Sequence, residues 1–181
     1  PHDLPESHWL EFYAGHFPAV EVDSTFHATP TEATVRRWAE TTPASFRFTC
    51  KLPRHITHIC RLRDCAAELS SFFRALEPLG PKLHVILVQL PPSLTPANGK
   101  QALRKFLAQL PRDFRFAIEF RHAGWHRPQF IRLVEKYRVC WVWADTTPLN
   151  ERNLAPFEFL PCTTDFLYLR LLGDYGTKYG V

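Results

Sequence analysis

Several features that would assign a function at once are missing from this sequence. None of the 181 residues is methionine, and no apolar run approaches the roughly 18 residues needed to cross a bilayer. The glycine signatures of phosphate-binding loops, of dinucleotide-binding folds and of serine hydrolases are also absent. We therefore expect no membrane span and none of these three sites, and we expect the natural N-terminus to lie before Pro1.

Cysteine is present, but it is arranged neither for disulfides nor for zinc. The five cysteines are odd in number and form no C-x-x-C pair, which favours a reduced, cytoplasmic setting. The net charge of +4 is mild and the basic residues are scattered, so the charge allows an anionic partner without demanding nucleic acid. The length suits one globular domain, which we place over residues 1–181.

Apolar and β-branched runs of strand length recur six times along the chain, with amphipathic helical patterns between most of them. The runs cover residues 19–26, 46–52, 83–90, 114–120, 139–144 and 166–172. The helical patterns cover residues 5–17, 31–41, 64–79, 99–110 and 128–137. This alternation predicts an α/β fold in which helices connect parallel strands.

Every predicted strand carries a polar residue at or near its C-terminal end. Residues two apart share a face of a strand, which gives these pairs: Glu21 with Asp23, Thr49 with Lys51, Leu87 with Gln89, Glu119 with Arg121, Trp143 with Asp145, and Tyr168 with Arg170. An open sheet gathers ligand groups at one switch point, whereas a barrel gathers them from all strands around one mouth. The repetition favours a (β/α)8 TIM-type barrel. Because six strands are too few, we expect an incomplete barrel with the first and last strands missing.

The same segments resemble the DUF72 (YecE-like) family of TIM-barrel proteins. The blocks that carry the resemblance follow one another through nearly the whole chain: EVDSTFHATP, FTCKLPRHITH, ILVQLPPSL, AIEFRHAGWH, VWADT and YLRLLGDYGTKY. The resemblance implies the barrel fold and no established activity. Family members usually begin with a GTSGW strand and end with a strand that contains paired asparagines, and neither is in this chain.

Carboxylates at three predicted strand ends are the first candidates for chemistry. Crowding and partial burial can split the pKa values of such groups, leaving one acid protonated and one base ionised. We expect Glu119 and Asp145 to be the acid and the base, and Glu21 and Asp23 to contact the substrate. The alternative for each carboxylate is a structural ion pair with a buried arginine or lysine.

Two arginines at strand ends are the predicted anchors of the substrate. A guanidinium binds carboxylate or phosphate oxygens in a planar fork, and Arg121 and Arg170 are both placed to do so. We expect Arg121 to pair with Glu119 or Asp145 and to keep its remaining donors for an anionic group. Gln89 and His122 are further predicted contacts, and Trp125, just past a strand end, is a predicted stacking wall for a sugar or base.

Lys51 and His58 are predicted to assist catalysis. Lys51 can serve as a charged anchor or, if desolvated, as a nucleophilic amine, while an ion pair with Glu21 or Glu119 is the favoured alternative. His58 follows the strand of Lys51 by one loop, on the side where barrel sites lie, so it is a candidate general acid or base. A lone loop histidine is more often a surface or capping residue.

These residues predict an enzyme that performs acid/base chemistry, of hydrolase or lyase type, on a small polar or anionic substrate at the C-terminal mouth of the barrel. The alternatives are a metal-dependent phosphodiesterase and a non-catalytic protein that binds nucleic acid or another ligand. No cofactor is predicted. A divalent metal held by Glu21, Glu119, Asp145 and a histidine remains open.

Overall fold

Six parallel strands form one sheet in the order in which they occur along the chain. The structure, a computed structural model, describes residues 4–147 and 160–174, with side chains described over 4–144 and 160–171. The strands are β1 (Ala19–Val22), β2 (Arg47–Lys51), β3 (Leu83–Gln89), β4 (Phe116–Glu119), β5 (Val139–Thr147) and β6 (Tyr168–Asp174). All six predicted strands are present, and the α/β class with a parallel sheet is confirmed.

Helices connect the strands at the places where the apolar periodicity predicts them. The α-helices are α1 (Trp9–Ala14), α2 (Ser24–His27), α3 (Glu32–Thr41), α4 (Ala66–Leu76), α5 (Pro96–Gln109) and α6 (Pro128–Lys136). Shorter turns of 3-10 or π-helix cover Glu6–His8, His55–Ile59, Glu77–Lys82 and Ala123–Trp125. In the described part of the chain, no helix is long and apolar enough to span a membrane.

The first strand is shorter than predicted because the chain turns into α2 directly after Asp23. The buried hydroxyl of Thr25 contacts two carbonyl oxygens, at 2.9 Å from Val22 and 2.8 Å from Lys51. These contacts tie α2 to the ends of β1 and β2. The apolar Phe26, predicted as the last residue of the strand, therefore lies on a helix above the sheet.

The sheet separates two apolar layers. The larger core lies between the sheet and the helices, and its central members are Phe48, Phe72, Ile86, Phe106, Ile118 and Phe130. A smaller cluster lies on the opposite face of the strands and consists of Val85, Leu87, Ala117, Cys140, Val142 and Ala144, with Phe166 and Tyr168 against it. This second face is the concave interior of the sheet. Its apolar cluster stops before the C-terminal ends of the strands, where the polar residues begin.

The sheet is curled, because its two outermost strands meet across the interior. Tyr168 and Arg170 of β6 both donate hydrogen bonds to Glu21 of β1, although β1 and β6 are at opposite ends of the strand order. The result is a six-stranded half-barrel. A closed eight-stranded barrel is not shown, and the single-domain boundary of 1–181 stays a prediction.

Candidate functional site

The C-terminal ends of five strands surround one open cavity of about 480 Å³ on the concave side of the sheet. We call it the mouth. Its lining residues are Glu21, Asp23, Phe26, His27, Lys51, Arg54, His58, Gln89, Arg121 and Arg170. Parallel strands produce this convergence because their carboxyl ends lie at the same edge of the sheet. Eight of the eleven residues that the sequence predicts for the site line the mouth or support it directly from below.

Glu119 is the centre of an ion network below the mouth. Its side chain is 1% exposed, and its Oε1 accepts a hydrogen bond from Arg121 Nε at 2.6 Å. Its Oε2 accepts from Gln89 Nε2 at 3.0 Å and from Arg170 Nη1. Burial alone would raise the pKa of this carboxyl, but the two guanidinium groups and the Gln89 amide hold the pKa below its usual value. Glu119 is therefore ionised, and both of its oxygens are occupied.

Arg170 joins Glu119 to a second carboxylate. Its Nη2 donates to Glu21 Oε1 at 2.7 Å and its Nε to Glu21 Oε2 at 3.1 Å, which is the two-pronged geometry of a strong guanidinium–carboxylate pair. The Tyr168 hydroxyl donates to the same Oε2 at 2.6 Å. Burial and the Glu21 carboxylate raise the pKa of Tyr168 far above its usual value, so the phenol stays protonated. Glu21 and Arg170 thus satisfy each other.

Arg121 is different, because only one edge of its guanidinium is used. Its Nε contacts Glu119, and its side chain is 25% exposed at the mouth. Its two Nη groups make no hydrogen bond to a residue whose side chain is described, in the ranges 4–144 and 160–171. The predicted pairing of Arg121 with Glu119 is confirmed, and the four N–H bonds of the Nη groups have no partner among those residues.

Lys51 pairs with Asp23 across the ends of β1 and β2. Its Nζ donates to Asp23 Oδ1 at 2.8 Å and lies 4.1 Å from the centre of the Phe26 ring. The Lys51 hydrogen bond is the main reason that the pKa of Asp23 lies below its usual value. The predicted pairing of Lys51 with Glu21 or Glu119 is wrong, because the turn into α2 brings Asp23 and Phe26 over the lysine.

His58 lies on the π-helical turn His55–Ile59, which follows β2. Burial, together with the charges of Lys51, Arg121 and Arg54, lowers the pKa of His58 from 6.5 to about 4, so the ring is neutral at neutral pH. Its Nδ1 is 2.8 Å from Thr57 Oγ1, and the same hydroxyl is 3.4 Å from the Pro53 carbonyl. Either Thr57 or His58 can donate in the shorter contact; in the tautomer in which Nδ1 donates, Nε2 carries the free lone pair.

Trp125 is not at the mouth, and the prediction that it forms a stacking wall is wrong. The indole is fully buried, and its Nε1 donates to the Leu94 carbonyl at 2.6 Å. Its ring packs against Phe120 and Phe130, with ring centres 5.3 and 4.8 Å away. The 3-10 turn Ala123–Trp125 folds the side chain back into the core between the sheet and the helices.

His122 and Asp145 complete the predicted set. His122 does not line the mouth; its Nδ1 accepts a hydrogen bond from the Gly124 amide at 3.0 Å and so caps the 3-10 turn. The backbone of Asp145 lies in β5 and pairs in register with Leu171. Its side chain lies outside the described residues, and its catalytic role stays a prediction.

Four residues of the site were not among the predicted ones. Arg54 and His27 line the mouth from the loop after β2 and from α2, and Phe26 lines it from α2 rather than from the end of β1. The pair Asp23-Ser24 carries a usable signal, because these residue types favour turns over continued strand. Tyr168 is predicted to share a strand face with Arg170, but only the fold brings it to Glu21, 147 positions away.

The carboxylates form no metal site in the described part of the chain. Among residues whose side chains are described, no group of three or more His, Cys, Asp or Glu is arranged to hold a metal ion. Glu21 and Glu119, two of the suggested ligands, are both paired with Arg170. The suggestion of a divalent metal also involved Asp145 and stays untested.

The comparisons with known proteins agree with this architecture. The family model described as "Protein of unknown function DUF72" matches residues 1–180. This chain belongs to the DUF72 family. Among curated DUF72 relatives, UPF0759 protein YecE of Escherichia coli K12 is 39% identical over 121 residues, which cover 67% of this chain and 42% of YecE. UPF0759 protein YunF of Bacillus subtilis is 30% identical over 127 residues, which cover 67% of this chain and 45% of YunF. The chain thus spans less than half the length of these relatives.

Solved DUF72 structures share the fold. A DUF72 family protein from Thermotoga maritima superposes with a TM-score of 0.82 at 28% identity, over 97% of this chain and 68% of that one. A DUF72 family protein from Enterococcus faecalis gives a TM-score of 0.72 at 25% identity, over 93% of this chain and 70% of that one. None of these names states an activity or a substrate.

Proposed function

We propose that the mouth binds a small anionic or polar substrate and that the protein is an enzyme performing acid/base chemistry of hydrolase or lyase type on it. One observation carries this proposal: the buried Glu119 and the partly exposed Glu21 are neutralised by arginine, whereas Arg121 keeps both Nη groups without a partner among the residues whose side chains are described. Such donors at the wall of an open cavity favour an anionic or polar ligand.

The charge and size of the mouth support the same proposal. Among the residues whose side chains are described, four cations line the mouth, Lys51, Arg54, Arg121 and Arg170, and three carboxylates line or underlie it, Glu21, Asp23 and Glu119. An excess of positive charge in a concave site attracts anions and concentrates them there. The volume of about 480 Å³ lies within the range of about 300–1,000 Å³ that is typical of small-molecule sites.

The contacts assign different roles to the polar groups. His58 is the proposed proton acceptor, because its ring is neutral at neutral pH and lines the mouth. Lys51 is the proposed cation that stabilises negative charge as it develops, since Asp23 and Phe26 position its amine at the mouth. Glu119 is a positioning residue for Arg121 and Arg170 rather than the acid first expected, because both of its oxygens are occupied.

The variant Arg121→Lys tests the anion-binding part of the proposal. Lysine keeps the positive charge but loses the fork, so we expect inorganic phosphate to bind to the variant at least fivefold more weakly than to the parent. Binding is measured by phosphate titration with amide NMR shifts read at Lys51, His58 and Gln89. Arg36→Lys, on the exposed Glu32–Arg36 pair of α3, is the matched control and should bind as the parent does. Equal affinity of Arg121→Lys and the parent would overturn the proposal.

The two alternatives of the sequence analysis, a metal-dependent phosphodiesterase and a non-catalytic nucleic-acid-binding protein, remain untested. The phosphodiesterase requires bound metal, so metal analysis of the purified protein tests it. A nucleic-acid-binding protein would bind mixed oligonucleotides with an affinity that falls as the salt concentration rises.

A further inference from the structure

A second and larger cavity, of about 710 Å³, lies on the helical side of the sheet. It runs along α5 and is closed at one end by the loop of residues 62–65 and the first residue of α4. We call it the α5 groove. It shares no lining residue with the mouth. The proposed function of the mouth leaves it unexplained.

The α5 groove is strongly cationic. Arg63, Lys100 and Lys105 line it with a single carboxylate, Asp64. The sequence of α5, PANGKQALRKFLAQ, contains no aspartate or glutamate, so no acidic residue complements the positive N-terminal end of the helix. Neither lysine forms a hydrogen bond or an ion pair with a residue of the described ranges. Uncompensated cations around a cavity favour an anionic occupant.

The wall opposite α5 is held in an uncommon backbone conformation. Arg61, Leu62 and Asp64 adopt left-handed φ values of 52°, 66° and 48°, although none of them is glycine. Arg61 Nη2 donates to the Ser93 carbonyl at 2.6 Å, and Arg63 Nη2 donates to the Asn98 carbonyl at 2.6 Å. These bonds fix the loop against the start of α5. They hold the Arg63 guanidinium at one end of the groove. Its other N–H groups make no hydrogen bond to a residue whose side chain is described.

We propose that the α5 groove binds a small molecule that carries at least two phosphate groups. Arg63 and Lys100 lie at the end of the groove near the loop and bind one phosphate. Lys105 is five residues further along α5 than Lys100, about 7.5 Å along the helix axis, and binds the second. Two glutamines also line the groove and offer amide donors. Gln101 lies between Lys100 and Lys105 in the sequence, and Gln109 follows Lys105. One phosphate alone would use only part of this set.

The test compares inorganic tripolyphosphate with orthophosphate on the full chain, by calorimetry at physiological salt. Tripolyphosphate should bind at least tenfold more tightly than orthophosphate and should shift the amides of residues 97–105. The double variant Lys100→Met/Lys105→Met should weaken tripolyphosphate binding at least tenfold. These lysines are exposed, so the variant should unfold at the temperature of the parent.

The matched control is Arg36→Met/Arg37→Met, which removes the same charge from the exposed side of α3 and should change the affinity less than twofold. Arg121→Lys should leave binding at the groove unchanged. If the lysine double variant loses no more affinity than the control, or if the shifts are confined to the mouth, the proposal is overturned.

Competition identifies the source of the phosphates. A nucleoside triphosphate and a hexose bisphosphate are each used to displace tripolyphosphate from the parent. Stronger displacement by one of them supports the groove and identifies its ligand as a nucleotide or as a sugar phosphate. Failure of both to displace tripolyphosphate would contradict a site for small phosphorylated molecules.

Discussion

At the scale of single residues, the distinction that matters is between charges that satisfy each other and charges that remain available. Glu119, Glu21 and Arg170 form a closed network whose members use their hydrogen-bonding groups on one another. Arg121 and His58 line the mouth, and each keeps a nitrogen group without a partner among the residues whose side chains are described. We therefore expect the paired carboxylates to support the site and the groups beside them to contact its ligand.

The substitution Glu119→Gln measures the cost of breaking this network. It removes the carboxylate partner of Arg121 and one of the two carboxylate partners of Arg170 from a buried position, so we expect a loss of about 3–5 kcal/mol in the free energy of unfolding. Glu32→Gln, which removes a carboxylate from the exposed pair with Arg36, is the control and should cost less than about 1 kcal/mol. Urea unfolding at pH 7 gives both values.

The pH dependence of the same variant supplies an independent check. The folded-state pKa of Glu119 lies below its ordinary value of 4.5, so the stability it contributes is fully present above that pH and is lost as the pH falls towards the folded pKa. The parent should therefore lose stability more steeply than Glu119→Gln below about pH 4.5. Parallel curves for the two proteins would show that Glu119 is not held ionised by its partners.

At the scale of elements, the short helix α2 shapes the site more than its four residues suggest. It brings Phe26 over Lys51 and places His27 at the mouth, and the Thr25 hydroxyl fastens it to the ends of β1 and β2. The same turn places Asp23 within reach of the Lys51 amine. The arrangement around Lys51 depends on one buried hydroxyl.

Thr25→Val removes that hydroxyl and keeps the shape of the side chain. Two carbonyl oxygens lose a buried donor, so we expect a loss of about 1–3 kcal/mol in unfolding free energy. Loosening of α2 should also weaken phosphate binding at the mouth. Thr41→Val is the control, because the Thr41 hydroxyl contacts only the Arg37 carbonyl on the exposed side of α3 and its loss should cost under about 1 kcal/mol. A Thr25→Val protein as stable as the parent would refute the role given to this contact.

In the described part of the chain, all six strands and five of the six α-helices are predictable from the sequence, whereas the short helix α2 and the direction of some side chains are not. Continuous apolar runs identify the strands because parallel strands are covered on both faces. Phe26 extended the first predicted run, since apolarity alone does not show where a strand turns into a helix. Trp125 was placed at the mouth because it follows β4, yet the turn Ala123–Trp125 decides its direction. Lys51 and Asp23 are 28 positions apart, so only the fold pairs them.

At the scale of the whole molecule, the curl of the sheet creates the site. Tyr168 and Arg170 on β6 reach Glu21 on β1, and this contact closes the mouth on the side where the two outermost strands face each other. Arg170 also contacts Glu119 on β4, so one side chain joins three strands. Because this contact neutralises Glu21 and Glu119, we expect the remaining cations of the mouth to bind a ligand.

The most direct test of the account is a crystal structure of the full chain grown or soaked with phosphate. The account predicts a phosphate at the mouth, within hydrogen-bonding distance of the Arg121 Nη groups and close to Lys51, with the Glu119–Arg121 and Glu21–Arg170 pairs unchanged. A mouth without phosphate, in which the Arg121 Nη groups contact a protein carboxylate instead, would contradict it.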